Sequence, residues 1–594
     1  MKNTSCDPAM KKEATVERSR FFFKARDLIF LLVLCFLLYF WKLGALPFYN
    51  RGEPREGLVV WEMYKTGNWI LPIINGEYIP FKPPLFHWFG VLVGMVLGHV
   101  DEFVVRFPSA LFGTLGVLMT YYVGRRWWNR RAGLVAAVVL ATSFDWWQSA
   151  TITQVDMTLA FFISSALMLF YFIYREEPSR TVRSLALALL LALGTLAKGP
   201  LGVAVPCFVI LVFLCIRRDV AFIRKLPLLA GTVVFLLVAG SWYGLAFFQG
   251  GEDFFRRQIV NETLRTGVGS YGHHQPVYYF VPVLFYNMLP WSFFFPGLAI
   301  FLYRERDQLA DRHLLYPLVW FGAVFFFFSV ALGKRGIYIL PLYPAVALLL
   351  GAWWNAIDEG ITGSIEISRW IGVFYALSGL IATAGVSVYL ISQFTLGHPP
   401  LFPVPEKFAI VVSALITAAG GSLIFIGLAL LGGCLLLLAR FSWTGRWGRV
   451  FASLTAIALI QALFMKNAYL PYIASQRTMK PFVSRVTRQV GANRPLLFYR
   501  AFDYGTVFYS HRHIPAYAAK FSELKPPYFL LMWQEDVKRL SETNHFKILD
   551  TSEGRGPAGR HRLVLLEPEQ ASPIADPKGY GRSKAGDDDS SSDG

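Results

Sequence analysis

Runs of about twenty apolar residues alternate along this chain with short, strongly basic segments, and that alternation leaves few folds open to it. A helix crossing the hydrocarbon of a bilayer needs ~20 such residues, and it must satisfy its own backbone hydrogen bonds there. With 55% of residues hydrophobic and 16% charged, the sequence describes an all-α polytopic membrane protein. The formal net charge of +18 invites a nucleic-acid partner, but Lys and Arg lie in clusters between apolar runs and form no basic face interleaved with aromatics. The positive-inside rule accounts for the clusters instead, and no nucleic acid is expected.

The run Pro83 to Val100 is marginal for a span, and charge decides how to count it. If it crossed, the cluster Arg125-Arg126-Trp127-Trp128-Asn129-Arg130-Arg131 and every later basic cluster would lie outside. Placed in the outer interface, it leaves the basic loops at 124–131, 175–183, 217–225, 303–313 and 440–449 in the cytoplasm. The expected count is then about thirteen spans, near 27–46, 104–123, 132–150, 155–174, 184–198, 200–216, 227–248, 278–302, 314–332, 337–355, 369–391, 408–438 and 450–466. Residues 1–26 form a basic cytoplasmic tail. The segment 27–46 is expected to be a retained first span, since no short apolar core with a small-residue cleavage site precedes it. A first outer loop, 47–103, carries juxtamembrane helices. An odd span count puts residues 467–570 outside as a small periplasmic α/β domain, in which RTMKPFVSRVTRQV is helical and PLLFYR, YFLLMW and RLVLLEP are strand-like. Residues 571–594 are Gly, Ser and Asp rich and expected to be disordered. Cys6, Cys35, Cys207, Cys215 and Cys434 fall in the N-terminal tail or apolar runs and suggest neither a disulfide framework nor a metal cluster.

Polar chemistry concentrates in RGEPREGLVVWEMYKTGNWILPIINGEYIPFKPPLFHW, residues 51–88, which gathers Arg51, Glu53, Arg55, Glu56, Glu77, Lys82 and His87. Gly52-Glu53-Pro54 predicts a helix start with Pro in the first turn, and Gly67 predicts its stop, giving a short helix on the membrane surface. Further polar groups expected on the same face are Gln154-Val155-Asp156, Lys198 in AKGP, the loop at 252–276 and GKRGIYILPLYP at 333–344. Acids and separated cations facing one compartment suit transfer of a group from an anionic leaving group: the cations neutralise a departing phosphate and a carboxylate takes the acceptor's proton. Without a dinucleotide fingerprint or a P-loop, a lipid-linked donor entering from the bilayer fits better than a soluble nucleotide.

GEPREGLVVWEMYKTGNWILPIINGEYIPFKPPLFHW, VVRFPSALFGTL, QVDMTLAFF, LAKGP and GKRGIYILPLYP, in this order over roughly the first 345 residues, resemble the bacterial branch of the protein O-mannosyltransferase superfamily, which includes the lipid A aminoarabinose transferases. The resemblance implies the GT-C fold, an inner-membrane location, a polyprenyl-phosphate sugar donor and inverting transfer at the outer face to lipid A, another glycolipid or glycan, or a protein. It implies donor-phosphate contacts at Arg55, Lys82, Lys198 and Tyr338, and more loosely at Arg265. The family opens its first loop with an Asp where this chain has Gly52, so the proton acceptor falls to Glu53 or to Asp156, which matches the family's second acid. Phe81 stands where the aminoarabinose transferases have Glu, which weakens both a divalent-metal site and that sugar; no cofactor is expected. Competing readings are a polytopic transporter or flippase and a non-catalytic envelope protein. Glu53 also reads as a helix-start acid paired with Arg51 or Arg55, Lys82 and Lys198 as snorkelling lysines, and Tyr338 as an interfacial tyrosine.

Overall fold

The computed structural model describes residues 25–76, 82–176, 180–258, 260, 274–358, 360, 365–394, 421–491, 493–517, 528–540, 546–556 and 561–568. The first helix, α1 (25–35), runs on as a π-helical turn, Phe36–Phe40. After it, α2 (Gly52–Thr66) starts and stops where the sequence predicts. Pro54 stands in its first turn, and Gly67, at φ 70°, donates its N–H to the Met63 carbonyl; only glycine takes that left-handed conformation without a steric penalty. The 13-residue α3 (Leu85–Leu97) is closed the same way by Gly98 at φ 78°. At ~1.5 Å per residue it reaches ~20 Å, well short of a ~30 Å hydrocarbon layer.

The bundle proper follows: α4 (Glu102–Trp127), capped by the Asp101 side chain on the Val104 N–H, α5 (Arg130–Thr142), capped by Asn129, α6 (Phe144–Thr151) and α7 (Val155–Arg175). Next, α8 (Arg180–Lys198) and α9 (Leu201–Ile216) fold back on each other as a tight hairpin. A Cβ at Gly202 would lie 2.0 Å from the Gly194 carbonyl carbon, so this close crossing requires glycine. Among the described residues eight helices are long and apolar enough to cross a membrane, and the bent pair Val277–Asn287 and Trp291–Arg304, at 109°, makes a ninth if it counts as one span. Several of the thirteen expected segments are shorter pieces here, such as α9 and Leu315–Val330, while 408–438 lies partly outside the described residues.

The two ends of the bundle differ. At the end where α4 finishes and α5 begins, Asp27 accepts hydrogen bonds from Arg130 Nε at 2.6 Å and Nη2 at 2.5 Å and from the Tyr121 hydroxyl at 2.7 Å. The other end carries the starts of α2, α4 and α7 and the end of α8.

The sequence boundary at 467 falls inside continuous helix. Trp447–Phe464 runs through the π-helical turn Met465–Tyr469 into Leu470–Arg477, and the helix Lys480–Val490 follows two residues later. Beyond it lies a mixed five-stranded sheet, β1 (Leu496–Tyr499), β2 (Ala516–Tyr517), β3 (Phe529–Trp533), β4 (Phe546–Thr551) and β5 (Leu563–Pro568), ordered β2-β1-β3-β5-β4. β1 pairs parallel with β2 and β3, and β5 pairs antiparallel with β3 and β4. Three strands lie in the runs read as strand-like. This unit shares its core with the segment 47–103: Phe48, Leu58, Val59 and Val60 pack in one cluster with Phe482, Val483, Val486 and Phe508. Asn75 acts as a backbone splint between them, donating Nδ2–H to the Ile514 carbonyl and accepting the Ile514 N–H, each at 2.8 Å.

Asn75→Ala therefore leaves one buried N–H and one buried C=O without partners, at ~1–3 kcal/mol each. Limited proteolysis in detergent is expected to release the C-terminal unit several-fold faster than in the unmodified protein, with the membrane bundle intact.

Candidate active site

The site is framed by a carboxylate that water does not reach. Glu53, in the first turn of α2, is fully buried, and Arg106, in the first turns of α4, is nearly so. The two form a bidentate pair, with Arg106 Nε donating to Glu53 Oε1 at 2.7 Å and Nη2 to Oε2 at 3.1 Å. Glu53 also accepts from the Tyr49, Asn50 and Thr153 amides. The rest of the guanidinium donates to the carbonyls of Leu43, Leu46 and Pro47. The expected partners Arg51 and Arg55 are thus replaced by Arg106. That residue lies in the quoted VVRFP motif but was not singled out, although a cation inside an apolar span has to find a buried partner, which was the available signal.

Asp156 opens α7 three residues beyond Thr153. Its Oδ1 receives Lys198 Nζ at 2.5 Å and its Oδ2 receives Gln154 Nε2 at 3.0 Å. Lys198, at the last position of α8, also lies 4.9 Å from the centre of the Tyr338 ring. Lys198, Tyr338 and Asp156 thus form one contact group drawn from three distant parts of the chain.

A second group joins the first through Lys82. Arg55 Nη2 donates to Glu56 Oε1 at 2.9 Å, and His87 Nε2 lies 2.7 Å from Glu56 Oε2. Burial raises the Glu56 carboxyl, but Arg55, the His87 hydrogen bond and Lys82 outweigh it and hold it down at about 2. Burial lowers the Lys82 ammonium to about 7, helped by the neighbouring Lys198 and Arg55, while Glu56 and Asp156 pull the other way. Lys82 therefore feels charges of both groups, so Arg55, Glu56, Lys82, Asp156 and Lys198 form one electrostatic unit. Lys82 and His87 also line a small cavity with Val59, Met63, Leu71 and Trp242.

Of the residues singled out from sequence, Glu53, Arg55, Lys82, Asp156, Lys198 and Tyr338 all lie at this end of the bundle. Arg265, with Glu77, Phe81 and His273, lies outside the described residues. Besides Arg106, the Glu56–His87 pair was not foreseen, because 31 residues separate its members and nothing local marks them as partners. Among the described residues no three His, Cys, Asp or Glu side chains converge as a metal would require, and Phe81 has no ligand atom to offer.

A bundle of this connectivity, with juxtamembrane helices over a cluster of acids and cations at one end, has the GT-C glycosyltransferase fold. Residues 81–243 match the family described as Dolichyl-phosphate-mannose-protein mannosyltransferase. The chain is 28% identical over 365 residues to the undecaprenyl phosphate-alpha-4-amino-4-deoxy-L-arabinose arabinosyl transferase of Aeromonas salmonicida, a match spanning 60% of this chain and 64% of that protein. It is also 28% identical over 379 residues to an uncharacterized protein of Aquifex aeolicus, spanning 63% of this chain and 72% of the other. ArnT from Cupriavidus metallidurans, solved bound to undecaprenyl phosphate, has the same fold at a TM-score of 0.71 and 21% identity, covering 93% of this chain and 99% of that one. These matches bear out the resemblance carried by the ordered motifs and speak for the transferase over the transporter reading.

Breaking a buried ion pair from one side leaves an uncompensated charge, which costs ~3–5 kcal/mol. Glu53→Ala is expected to lower the melting temperature in detergent by several degrees or more, and restoring neutrality with Arg106→Met in the same chain to recover part of that loss.

Proposed function

We propose that this protein is an integral glycosyltransferase of the bacterial inner membrane that moves a sugar from a polyprenyl-phosphate donor to an acceptor at the periplasmic face, with inversion at the anomeric carbon. The observation that carries the reading is the gathering of Lys82, Lys198 and Arg55 around Asp156 and Glu56 at one end of a GT-C bundle. Three separated cations suit a lipid-linked phosphate, whose charge grows as the sugar–oxygen bond breaks. The arabinosyl transferase and ArnT relatives, one named for and the other solved with undecaprenyl phosphate, support the same donor class.

In this mechanism Arg55, Lys82, Lys198 and the Tyr338 hydroxyl hold the donor phosphate, with Arg265 as a further contact. The acceptor hydroxyl attacks the anomeric carbon, its proton passes to a carboxylate, and the bond to the phosphate oxygen breaks with its electrons on the phosphate. Of Glu53 and Asp156, the geometry favours Asp156. Glu53 is already saturated by Arg106 and backbone amides, whereas Asp156 accepts from Lys198 and Gln154 and, with room for about four hydrogen bonds, keeps lone pairs for a hydroxyl. The acceptor is lipid A, another envelope glycan or glycolipid, or a protein hydroxyl, and the transferred unit a hexose or a pentose. With the N-terminus in the cytoplasm, the C-terminal unit sits in the periplasm against the loop that carries the site.

Asp156→Asn is expected to lower transfer from labelled polyprenyl-phosphate sugar at least a hundredfold while the protein still inserts and binds the lipid phosphate; full activity in this variant would sink the assignment. Lys82 supplies a second expectation. It binds phosphate best when protonated, so affinity for polyprenyl phosphate is expected to weaken as pH rises through about 7. In Lys82→Arg, whose guanidinium stays charged, that fall should vanish.

A further inference from the structure

Asp145 is a buried carboxylate in the first turn of α6, and its hydrogen-bond partners among the described residues are all neutral. Tyr343 donates its hydroxyl to Oδ2 at 3.0 Å, Asn287 Nδ2 donates to the same oxygen at 3.2 Å, and the Ser149 hydroxyl donates to Oδ1 at 3.4 Å. A carboxylate kept from water inside a membrane bundle with no cation bonded to it is costly, and it is retained where the protein uses it. Asn287 Nδ2 also donates to the Tyr343 hydroxyl oxygen at 2.8 Å, so the three side chains close a triangle. That triangle brackets the 3₁₀ segment Gly336–Leu342, which carries Tyr338. At the start of the segment a Cβ added to Gly336 would touch Asn287 Nδ2, at 3.8 Å, and Tyr343 follows its last residue. The segment needs such holding, because a 3₁₀ helix has poorer hydrogen-bond geometry than an α-helix. Among the described residues the polar and aromatic contacts of the Tyr338 side chain are all to its ring, with Lys198 Nζ 4.9 Å and the centre of the Phe328 ring 5.8 Å from its centre. Where its hydroxyl lies therefore depends on the backbone beneath it. At the far end of the segment that backbone is tied down by Trp320 Nε1, which donates to the Pro341 carbonyl at 3.1 Å, and by Tyr343 on Asp145.

We propose that Asp145 is a positioning residue for the donor phosphate: through Tyr343 and Asn287 it fixes the 3₁₀ segment so that the Tyr338 hydroxyl is already in place when the phosphate arrives. The inference rests on the reading of Tyr338 as a donor-phosphate contact. The place of Asp145 in the chain suits the role. α6 leads directly to Thr153, whose amide is bonded to Glu53, and to Asp156 in the first turn of α7. The carboxylate thus registers the Tyr338 segment against the same stretch of backbone that sets Asp156. An ionised carboxylate accepts such bonds more strongly than a neutral group does. The precision matters, because a hydroxyl misplaced by about 1 Å loses most of the strength of its hydrogen bond.

The test is a double-mutant cycle read as affinity for undecaprenyl phosphate, with the full-length protein in detergent. Tyr338→Phe is expected to weaken binding about five- to tenfold, as loss of one hydrogen bond does. Tyr343→Phe keeps the ring in the core and removes only the donor to Asp145. Alone it should weaken binding by a comparable factor, and in a chain that already carries Tyr338→Phe it should cause no further loss. Asp145→Ala should behave as Tyr343→Phe does, and Asp145→Asn, which keeps an oxygen for the Tyr343 hydroxyl, should lose less. A role in stability alone would leave the two tyrosine substitutions independent, so losses that multiply overturn the proposal, as does an unchanged affinity in Tyr343→Phe. An unchanged affinity in Tyr338→Phe instead overturns the phosphate contact on which the proposal rests.

Discussion

The end of this bundle that carries the candidate site depends on one ion pair sealed from water. Removing Glu53 and Arg106 from solvent costs several kcal/mol each, and the cost is offset only because neither charge is left short of partners. The guanidinium divides its donors between the Glu53 oxygens and the carbonyls of Leu43, Leu46 and Pro47, while Glu53 also takes the Tyr49, Asn50 and Thr153 amides. One pair thereby ties together the exit from α1, the start of α2, the start of α4 and the approach to α7. Arg55 and Glu56 follow Glu53 within a turn, and Asp156 follows Thr153 within three residues. The side chains of the candidate site are placed by backbone that the pair holds.

Within that frame the chemistry is electrostatic. Lys198 and Arg55 crowd the Lys82 ammonium, and the carboxylates of Glu56 and Asp156 offset them only in part. An anion arriving beside Lys82 adds to that offset, in surroundings where a charge interaction is worth far more than in water. A lipid phosphate is such an anion, and it can reach a membrane-embedded site without leaving the bilayer. The C-terminal unit belongs to the same construction. Its helix Lys480–Val490 and β1 share a core with α2, and Asn75 stitches the segment after α2 to its backbone. The sheet buttresses the helix that carries Glu53, Arg55 and Glu56.

Much of the site was legible because its residues stand in short contiguous motifs. Gly52-Glu53-Pro54, Gln154-Val155-Asp156 and Lys198-Gly199-Pro200 each sit at a helix end, where capping and proline preferences mark the boundary. Glu53 shows where such reading stops. Arg51 and Arg55 are its neighbours along the chain, but the first turn of α2 directs the carboxylate inward, and the partner it meets is 53 residues away. His87 was visible only as a polar residue in KPPLFHW. Its pairing with Glu56 exists because α2 and α3 pack side by side, a fact about two helices and not about either sequence.

By itself the sequence determined the class of fold, since the length and hydropathy of a membrane helix are imposed by the thickness of the bilayer and can be counted residue by residue. It also determined the ends of α2 and α3 through glycines that alone take a left-handed turn cheaply, and the short runs that became β1, β3 and β5. Which carboxylate is structural, which faces the cations and which holds an imidazole was decided only in three dimensions. A charge buried beside a bilayer takes whichever partner the packing brings to it, and distance along the chain puts no limit on that choice.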